Sequence, residues 1–313
     1  MSILITGGTG FLGSRLAELL RNQAHPVVLF DLHPTTRFLK SGTEGIDIVK
    51  GDLANFSDVL SVVKEHNVKV IFHAGALLSG QAEDNPTTAF SVNLVGTFHV
   101  LEAARLLGVD MVVLSSTVAT FGRGVTSPVG NEATQKPTTM YGVTKVACER
   151  LGEYYNSRYG IDFRGLRLPS VVGAGRGGGG LSAYSTLMIE ESAQGRPCTV
   201  RVAEYSRMPI LYVKDAVRSL LELQQANESS LGRRVYNIAG LSPTAGEIAA
   251  TVRAQLPQAS IQFKPDPMVQ PVVDGWPAEL DDTEARGDWN WRVKYNLDDL
   301  VSDFVGEVRA SNE

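Results

Sequence analysis

The run Thr6-Gly7-Gly8-Thr9-Gly10-Phe11-Leu12-Gly13 constrains this chain more than any other stretch. Gly7, Gly10 and Gly13 fall at three-residue intervals, directly after the apolar Ser2-Ile3-Leu4-Ile5. Directly after them, residues 11–20 place Leu12, Leu16, Leu19 and Leu20 at helical spacing. A short buried strand, a glycine turn and an amphipathic helix, in that order, open a βαβ unit. One glycine permits the tight turn, one lets the backbone approach a pyrophosphate, and one lets helix and strand pack closely, while the first helical amides face the phosphates. A glycine pattern alone is a weak signal; its strand-before, helix-after context gives it weight. Gly7, Gly10, Phe11, Leu12 and Gly13 are therefore expected to hold a dinucleotide.

The same alternation continues. Strands are predicted over 27–30, 46–49, 68–72, 111–114 and 162–168, and helices over 58–65, 89–107 and 141–159. Strands of four to seven largely apolar residues alternating with helices imply a parallel sheet covered on both faces: an α/β, Rossmann-type doubly wound fold. After Leu168 the regularity breaks into a glycine-rich loop over 173–180 and a proline-punctuated remainder, with strands still expected at 210–213 and 235–239 and a helix at 215–225. We expect a dinucleotide-binding domain of residues 1–168 with 210–240. A smaller, interleaved C-terminal substrate domain would comprise 169–209 with 241–313. The glycines at 177–180 read as a lid that orders on substrate binding.

Composition excludes several function classes. The 313 residues are 43% hydrophobic and 20% charged, with a formal net charge of −5 and no Lys/Arg cluster, which argues against a nucleic-acid or anionic-membrane partner. No apolar run is long enough to span a bilayer, and Met1-Ser2-Ile3 meets glycines without a basic leader, so no secretory signal is predicted. Two cysteines without a CxxC spacing exclude a disulfide framework or thiolate zinc site and fit a reducing cytoplasm. Five histidines without HxxxH spacing predict no metal centre.

Two acids bear on the dinucleotide. Asp31 ends the second strand, where a carboxylate bonds the adenosine ribose hydroxyls and repels a 2′-phosphate, which favours NAD over NADP; it reads equally as a turn or helix-cap residue, and nearby Arg37 softens the preference. Asp52, followed by Leu53, either reaches the adenine amino group or caps the next helix.

The chemistry points to Ser115-Ser116-Thr117, at the end of the fifth strand, and to Tyr141 and Lys145, one helical turn apart on one face. An ammonium near a phenol favours phenolate, so Lys145 is expected to lower the Tyr141 pKa and make it a proton acceptor for an alcohol. A hydroxyl at the C-terminal end of a parallel strand orients the same alcohol, where doubly wound sheets bind ligands. The alternative is an ordinary solvated helix pair.

Together, TGxxGxxG, the Ser-Thr strand end and Tyr-x-x-x-Lys resemble the extended short-chain dehydrogenase/reductase family, relatives of the nucleotide-sugar epimerases. Further stretches resemble the epimerase-type L-threonine 3-dehydrogenases within it: His73-Ala74-Gly75-Ala76-Leu77-Leu78-Ser79, Thr139-Met140-Tyr141-Gly142-Val143-Thr144-Lys145, Arg164-Gly165-Leu166-Arg167, Met208-Pro209, Asp274-Gly275-Trp276-Pro277 and Trp289-Asn290-Trp291. The resemblance implies hydride transfer from a secondary alcohol of a small polar substrate, L-threonine or a related 3-hydroxy acid or hydroxyketone, to NAD. It assigns Thr117, Tyr141 and Lys145 as the hydroxyl-handling triad, with Ser116 competing for the Thr117 place. Ala74, Gly75, Ala76, Leu168, Pro169 and Ser170 would line the cofactor. Ser79, Gly180, Ser182, Tyr184 and Trp276 would line the substrate, although Ser79 reads also as a turn hydroxyl and Trp276 as core packing. Asn93 matches an asparagine that supports the site through a structural water, or is a solvated helix residue. A homodimer through the helices at 89–107 and 141–159 is implied, with Leu151, Tyr154 and Tyr155 supplying an apolar face. Leu181-Ser182-Ala183 departs from the Thr-Thr-Asp that follows the glycines in the threonine enzymes. The competing readings are a nucleotide-sugar epimerase or dehydratase, whose diphosphate substrate would use Arg201, Arg207, Arg233 and Arg234, and a non-catalytic NAD sensor, which has no need of a tuned phenol.

Overall fold

The computed structural model describes residues 2–21, 25–178 and 180–310. The elements in chain order are β1 (Ser2–Thr6), α1 (Phe11–Leu20), β2 (Val27–Asp31), β3 (Ile46–Lys50), α2 (Phe56–Glu65) and β4 (Val68–His73). Then come α3 (Ser79–Asp84), α4 (Pro86–Ala89), a π-helical turn (Phe90–Val95), α5 (Gly96–Leu107), β5 (Met111–Thr117), α6 (Met140–Tyr159), β6 (Asp162–Leu168) and β7 (Ser170–Val172). The remainder runs α7 (Tyr184–Ala193), β8 (Cys198–Val200), β9 (Ile210–Tyr212), α8 (Val213–Gln225), β10 (Val235–Asn237), α9 (Ala245–Gln255), β11 (Ile261–Phe263), α10 (Gln270–Asp274), α11 (Thr283–Trp289) and α12 (Leu297–Ala310).

Seven parallel strands form one sheet in the order β10-β6-β5-β4-β1-β2-β3. Every residue of β1 is buried, as expected of a strand covered on both faces. One face packs Leu16 and Leu20 of α1 with Leu220 of α8. The other packs Val59 and Val63 of α2, Val100 and Leu101 of α5, and Cys148 of α6. The chain leaves β1 toward β2 on one side and β4 on the other, and this reversal opens a crevice at the strands' C-terminal edge. Register puts that edge in one line: Thr6 pairs with both Phe30 and His73, and Thr117 with Leu168.

Beyond β6 the short pairs β7–β9 and β8–β11 and helices α7, α9 and α12 enclose a separate core built from Met188, Val200, Ile248 and Phe304. Ala285 of α11 and Trp291 pack instead into the core of the large sheet. Among the described residues, no helix is long and apolar enough to cross a membrane.

The long helix expected over 89–107 is three pieces, because a π turn interrupts it at Phe90–Val95. Such a turn inserts an extra residue per turn and re-aims one side chain. Asn93, 1% exposed, is inside it. Its Oδ1 accepts the Leu77 N–H at 2.7 Å, and its Nδ2 donates to the Leu77 carbonyl at 3.0 Å and to Thr144 Oγ1 at 3.2 Å. Asn93 is therefore not a solvated helix residue; it ties the segment after β4 to α6.

Candidate active site

The glycine loop has the shape of a phosphate cradle. Gly7 has φ +63°, and a Cβ on it would meet Gly75 Cα at 2.7 Å. A Cβ on Gly13 would meet the Gly7 carbonyl oxygen at 2.3 Å, so only glycine lets α1 start this close to β1. No side chain caps α1 at Gly10, which leaves its amino end, with Phe11 and Leu12, open to an anion. Asp31 closes the loop's far side: Oδ2 accepts the Thr9 N–H at 3.2 Å and Oδ1 the His33 N–H at 3.3 Å. It is thus a loop-binding acid at the end of β2, half-buried beside the glycines. Asp52 is not the cap of α2. That cap is Asn55, which accepts the Ser57 N–H at 3.0 Å, while Asp52 Oδ1 accepts the Ala54 N–H at 2.8 Å in the preceding turn. Leu53 lies between Gly75 and Gly96, and its carbonyl accepts from His99 at 2.8 Å.

Ala74, Gly75 and Ala76 continue from β4 along the crevice, Ala74 donating to the Thr6 carbonyl at 3.2 Å. Underneath, the fully buried His73 bridges Thr6 Oγ1 at 2.6 Å and Thr97 Oγ1 at 2.9 Å, and burial pushes its pKa down to about 3, with the Lys145 charge acting in the same direction. Leu168 and Pro169 are buried at the end of β6. The Ser170 hydroxyl is buried without a hydrogen-bond partner among the described residues. A buried hydroxyl left open beside a glycine cradle fits a bound polar group. These features suit a nicotinamide dinucleotide along the edge.

Thr117 and Tyr141 meet at the middle of this edge. The Thr117 hydroxyl is near enough to the Tyr141 phenol to act on its titration, and it accepts the Ala119 N–H at 3.2 Å. Thr139 caps α6, accepting the Gly142 N–H at 3.1 Å, and so sets Tyr141 in the first turn. Lys145, 2% exposed, donates from Nζ to the Ser115 carbonyl at 2.8 Å. Its ammonium lies 5.9 Å from the centre of the Tyr141 ring.

Two expectations change here. Ser116, expected beside the substrate, is turned by β-strand alternation away from Thr117 and into the protein, where its hydroxyl donates to Glu149 Oε1. The Tyr141 phenol is not lowered overall, because it is buried. Burial raises the phenol well above its ordinary value and the Cys148 thiol adds to this, whereas the Thr117 hydroxyl and the Arg176 guanidinium act in the opposite direction. Burial likewise lowers Lys145, opposed by Cys148 and Glu149.

The glycine-rich loop and α7 form the opposite wall. Ser182 Oγ accepts from Arg176 Nη2 at 3.1 Å. The Tyr184 hydroxyl is buried without a hydrogen-bond partner among the described residues, its phenol pushed up by burial and then by Asp274. Trp276 is half-buried and packs against the core formed by Met188, Val200, Ile248 and Phe304. Ser79 is half-buried at the start of α3. Gly180 is exposed with φ +88°, and Gly179 lies outside the described residues. Glu83, near in sequence to Ser79, accepts the Met140 N–H at 2.6 Å and so helps seat α6. Sequence reasoning missed Arg176 as a site residue. Its signal was available: a lone cation inside a glycine run.

The sequence profile of the NAD dependent epimerase/dehydratase family matches residues 3–239. The chain belongs to that family. It is an NAD-dependent dehydrogenase of the extended short-chain dehydrogenase/reductase type, built on the Rossmann-like sheet described above. It is 35% identical over 308 residues to a mitochondrial L-threonine 3-dehydrogenase of Bos taurus, spanning 97% of this chain and 81% of that one. A GalE-like L-threonine dehydrogenase from Cupriavidus necator in its holo form superposes with a TM-score of 0.90 at 32% identity, covering 98% of this chain and 100% of the other. A monomeric L-threonine 3-dehydrogenase from a metagenome superposes with a TM-score of 0.91 at 28% identity, covering 99% and 100%.

Proposed function

We propose that this enzyme takes hydride from the secondary alcohol of a small 3-hydroxy substrate, L-threonine or a related 3-hydroxy acid or hydroxyketone, and delivers it to NAD. The observation that carries the reading is the placing of Thr117, at the end of β5, with Tyr141 and the buried Lys145 of α6 at the C-terminal edge of the sheet. The L-threonine dehydrogenase names of full-length relatives support the substrate class.

In this reading Gly7, Gly10, Phe11, Leu12 and Gly13 hold the pyrophosphate. Asp31, Asp52 and Leu53 hold the adenosine half; Ala74, Gly75, Ala76, Leu168, Pro169 and Ser170 flank the nicotinamide half. NAD, when bound, supplies the carbon that receives the hydride. Thr117 and Tyr141 hold the alcohol, and Tyr141 takes its proton. Burial keeps the phenol protonated at neutral pH, so in the reverse direction it is ready to donate to a ketone. Lys145 keeps a positive charge near the proton path, anchored by Ser115. Ser79, Gly180, Ser182, Tyr184 and Trp276 line the substrate side, the unpartnered Tyr184 hydroxyl being available to it. The small unit of 169–209 with 241–313 supplies that wall. A carboxylate at Asp31 favours NAD over NADP.

The α5–α6 face suits a homodimer. Phe98, Tyr154 and Tyr159 are exposed on it, and Leu94, Val95, Ala147 and Leu151 line an apolar hollow beside them. Tyr155 is not part of that face: it is buried, its hydroxyl donating to Glu102 at 2.8 Å. Sedimentation at several concentrations decides between this dimer and the monomer described for the metagenomic relative. The buried free thiols Cys148 and Cys198 fit a cytoplasmic setting.

The test is absorbance at 340 nm with NAD and L-threonine, 3-hydroxybutyrate or UDP-glucose. NADH accumulating with either small alcohol is expected. No NADH from the small alcohols, together with conversion of the UDP-sugar, overturns the reading in favour of an epimerase.

A further inference from the structure

The glycine-rich loop places a cation that the fold itself does not pair. Arg176 lies between the crevice and α7, its backbone N–H closing a turn onto the Gly173 carbonyl at 3.3 Å. A Cβ on Gly173 would lie 3.1 Å from the Phe11 ring, so this turn is seated on the dinucleotide loop. The Arg176 Nη2 donates to Ser182 Oγ at 3.1 Å, whereas Nη1 is buried with no hydrogen-bond partner among the described residues. No carboxylate forms an ion pair with it among the described residues, although other buried guanidiniums have one: Arg164 pairs with Asp162 and Arg167 with Glu149. The Tyr141 phenol is near enough that each group acts on the titration of the other. A guanidinium with a buried, unbonded donor is costly unless an anion completes it. Here the open donor belongs to a group that senses the proton-transfer atom.

We propose that Arg176 is the carboxylate anchor of the substrate, and that the substrate is a short 3-hydroxy acid without an α-amine. This rests on the dehydrogenase reading above and deepens it. In this proposal a carboxylate sits on Nη1, beside Ser182, and the carbinol two carbons away is the group presented to Thr117 and Tyr141. An ammonium would have to share a carboxylate that already accepts a hydrogen bond. Glu83 is committed to the Met140 N–H, Asp274 Oδ1 to the side-chain amide of Gln270 at 2.6 Å, and position 183 is a buried alanine. A protonated amine would be desolvated against these groups, whereas a hydrogen or hydroxyl at the same carbon would not. The same donor could also meet a cofactor phosphate, and the experiment separates the two anions.

Wild type, Arg176→Gln and Arg176→Lys are compared with NAD and 3-hydroxybutyrate, its neutral amide 3-hydroxybutyramide, and L-threonine. Binding of unreactive butyrate to the enzyme–NADH complex is measured by calorimetry, and NADH affinity by fluorescence. The wild type is expected to favour 3-hydroxybutyrate over L-threonine by more than about tenfold in kcat/KM. Arg176→Gln should lose about 10²-fold on the acid, mainly through KM, and less than about threefold on the amide. Arg176→Lys should recover part of the loss, because it restores the charge without the fork. NADH affinity should stay within about twofold in both variants, and butyrate binding should disappear in Arg176→Gln. Equal losses on acid and amide, or a tenfold weaker NADH affinity with the acid-to-amide ratio unchanged, overturn the anchor. A wild-type preference for L-threonine overturns the substrate class. Should no alcohol be oxidised while butyrate still binds through Arg176, the carboxylate anchor stands and the dehydrogenase reading fails. Unchanged butyrate binding in Arg176→Gln refutes the anchor whatever the turnover.

Discussion

Substituting Glu149 by Gln isolates the element that holds the catalytic strand and helix together. Glu149 is fully buried on α6, one turn beyond Lys145. Its carboxylate accepts from Arg167 Nη2 at 2.8 Å and Nε at 3.0 Å, from Gln135 Nε2 at 2.8 Å, and from the Ser116 hydroxyl. Arg167 is equally buried on β6, where it also donates to the Asn131 carbonyl at 3.1 Å and lies over the Phe121 ring. The glutamine keeps the shape but removes the charge, leaving a buried guanidinium without a counter-ion, which costs about 3–5 kcal/mol. Unfolding entropy for a chain this long is roughly 0.65 kcal/mol per degree, so the Tm should fall by about 5–8 °C. Replacing both partners, Glu149→Leu with Arg167→Met, removes both charges and leaves Ser116, the Gln135 amide, the Asn131 carbonyl and Asn237 Oδ1 short of a partner at about 1 kcal/mol each. The double variant should therefore lose about 4 kcal/mol, well below the sum of the two single variants. Denaturant titrations of wild type, both single variants and the double variant measure the coupling. A loss below about 1 kcal/mol in Glu149→Gln, or a double loss equal to the sum of the singles, refutes the argument that the pair is bound as buried, mutually dependent charges.

Tyr141→Phe should lower kcat by about 10²–10⁴-fold while NADH affinity by fluorescence stays nearly unchanged; activity within a few-fold of wild type removes Tyr141 from proton transfer. Because burial holds the phenol above its ordinary value, its basic form grows only as pH rises. The kcat/KM for alcohol oxidation should climb from pH 7 to 9 with near-unit slope, and a plateau from pH 7 contradicts this. His73 has the opposite sign of linkage to a salt-bridged histidine: burial depresses it from 6.5 to about 3. Folding binds no proton there while the unfolded chain does below its own pKa, so stability complete above pH 6.5 declines toward pH 3. About 2 kcal/mol should be lost between pH 7.5 and 5, and His73→Asn should flatten that segment of a Tm-against-pH curve. Asp31→Ser should narrow the preference of NAD over NADP by about tenfold, read as the ratio of kcat/KM values; an unchanged ratio assigns Asp31 to the loop alone.

The sheet was legible in the sequence because parallel strands buried on both faces write themselves as short apolar runs. The helices of residues 11–20 and the strand of 162–168 were bounded to the residue for that reason. Tyr141, Lys145 and Thr117 were legible because helical spacing and a strand end fix them locally. What escaped depends on contacts between segments distant in the chain. The π turn is invisible to periodicity, since Phe90–Val95 reads as continuous helix until Asn93 is seen holding the backbone of Leu77. Asp52 was ambiguous because a cap and a turn use the same carboxylate oxygen, and only the position of Asn55 decides between them.

The Tyr141 expectation failed through a more general cause. A lysine at i+4 is a neighbour of the tyrosine on the helix surface, but helical spacing does not tell how deeply the phenol is buried, and here burial is the largest influence on it. Among the groups that act the other way is Arg176, a residue with no sequence relation to the YxxxK pair. One group that pulls the phenol toward its basic form is thus also a group with a donor open to an anion. A substrate carboxylate that neutralises Arg176 would weaken that pull and hold Tyr141 in its protonated form, so substrate charge and proton transfer are coupled through one side chain. Oxidation of a neutral amide should accordingly show its pH-dependent rise at lower pH than oxidation of the acid. Arg176→Gln should bring the two profiles together, and coincident profiles in the wild type would show that the guanidinium and the phenol act independently.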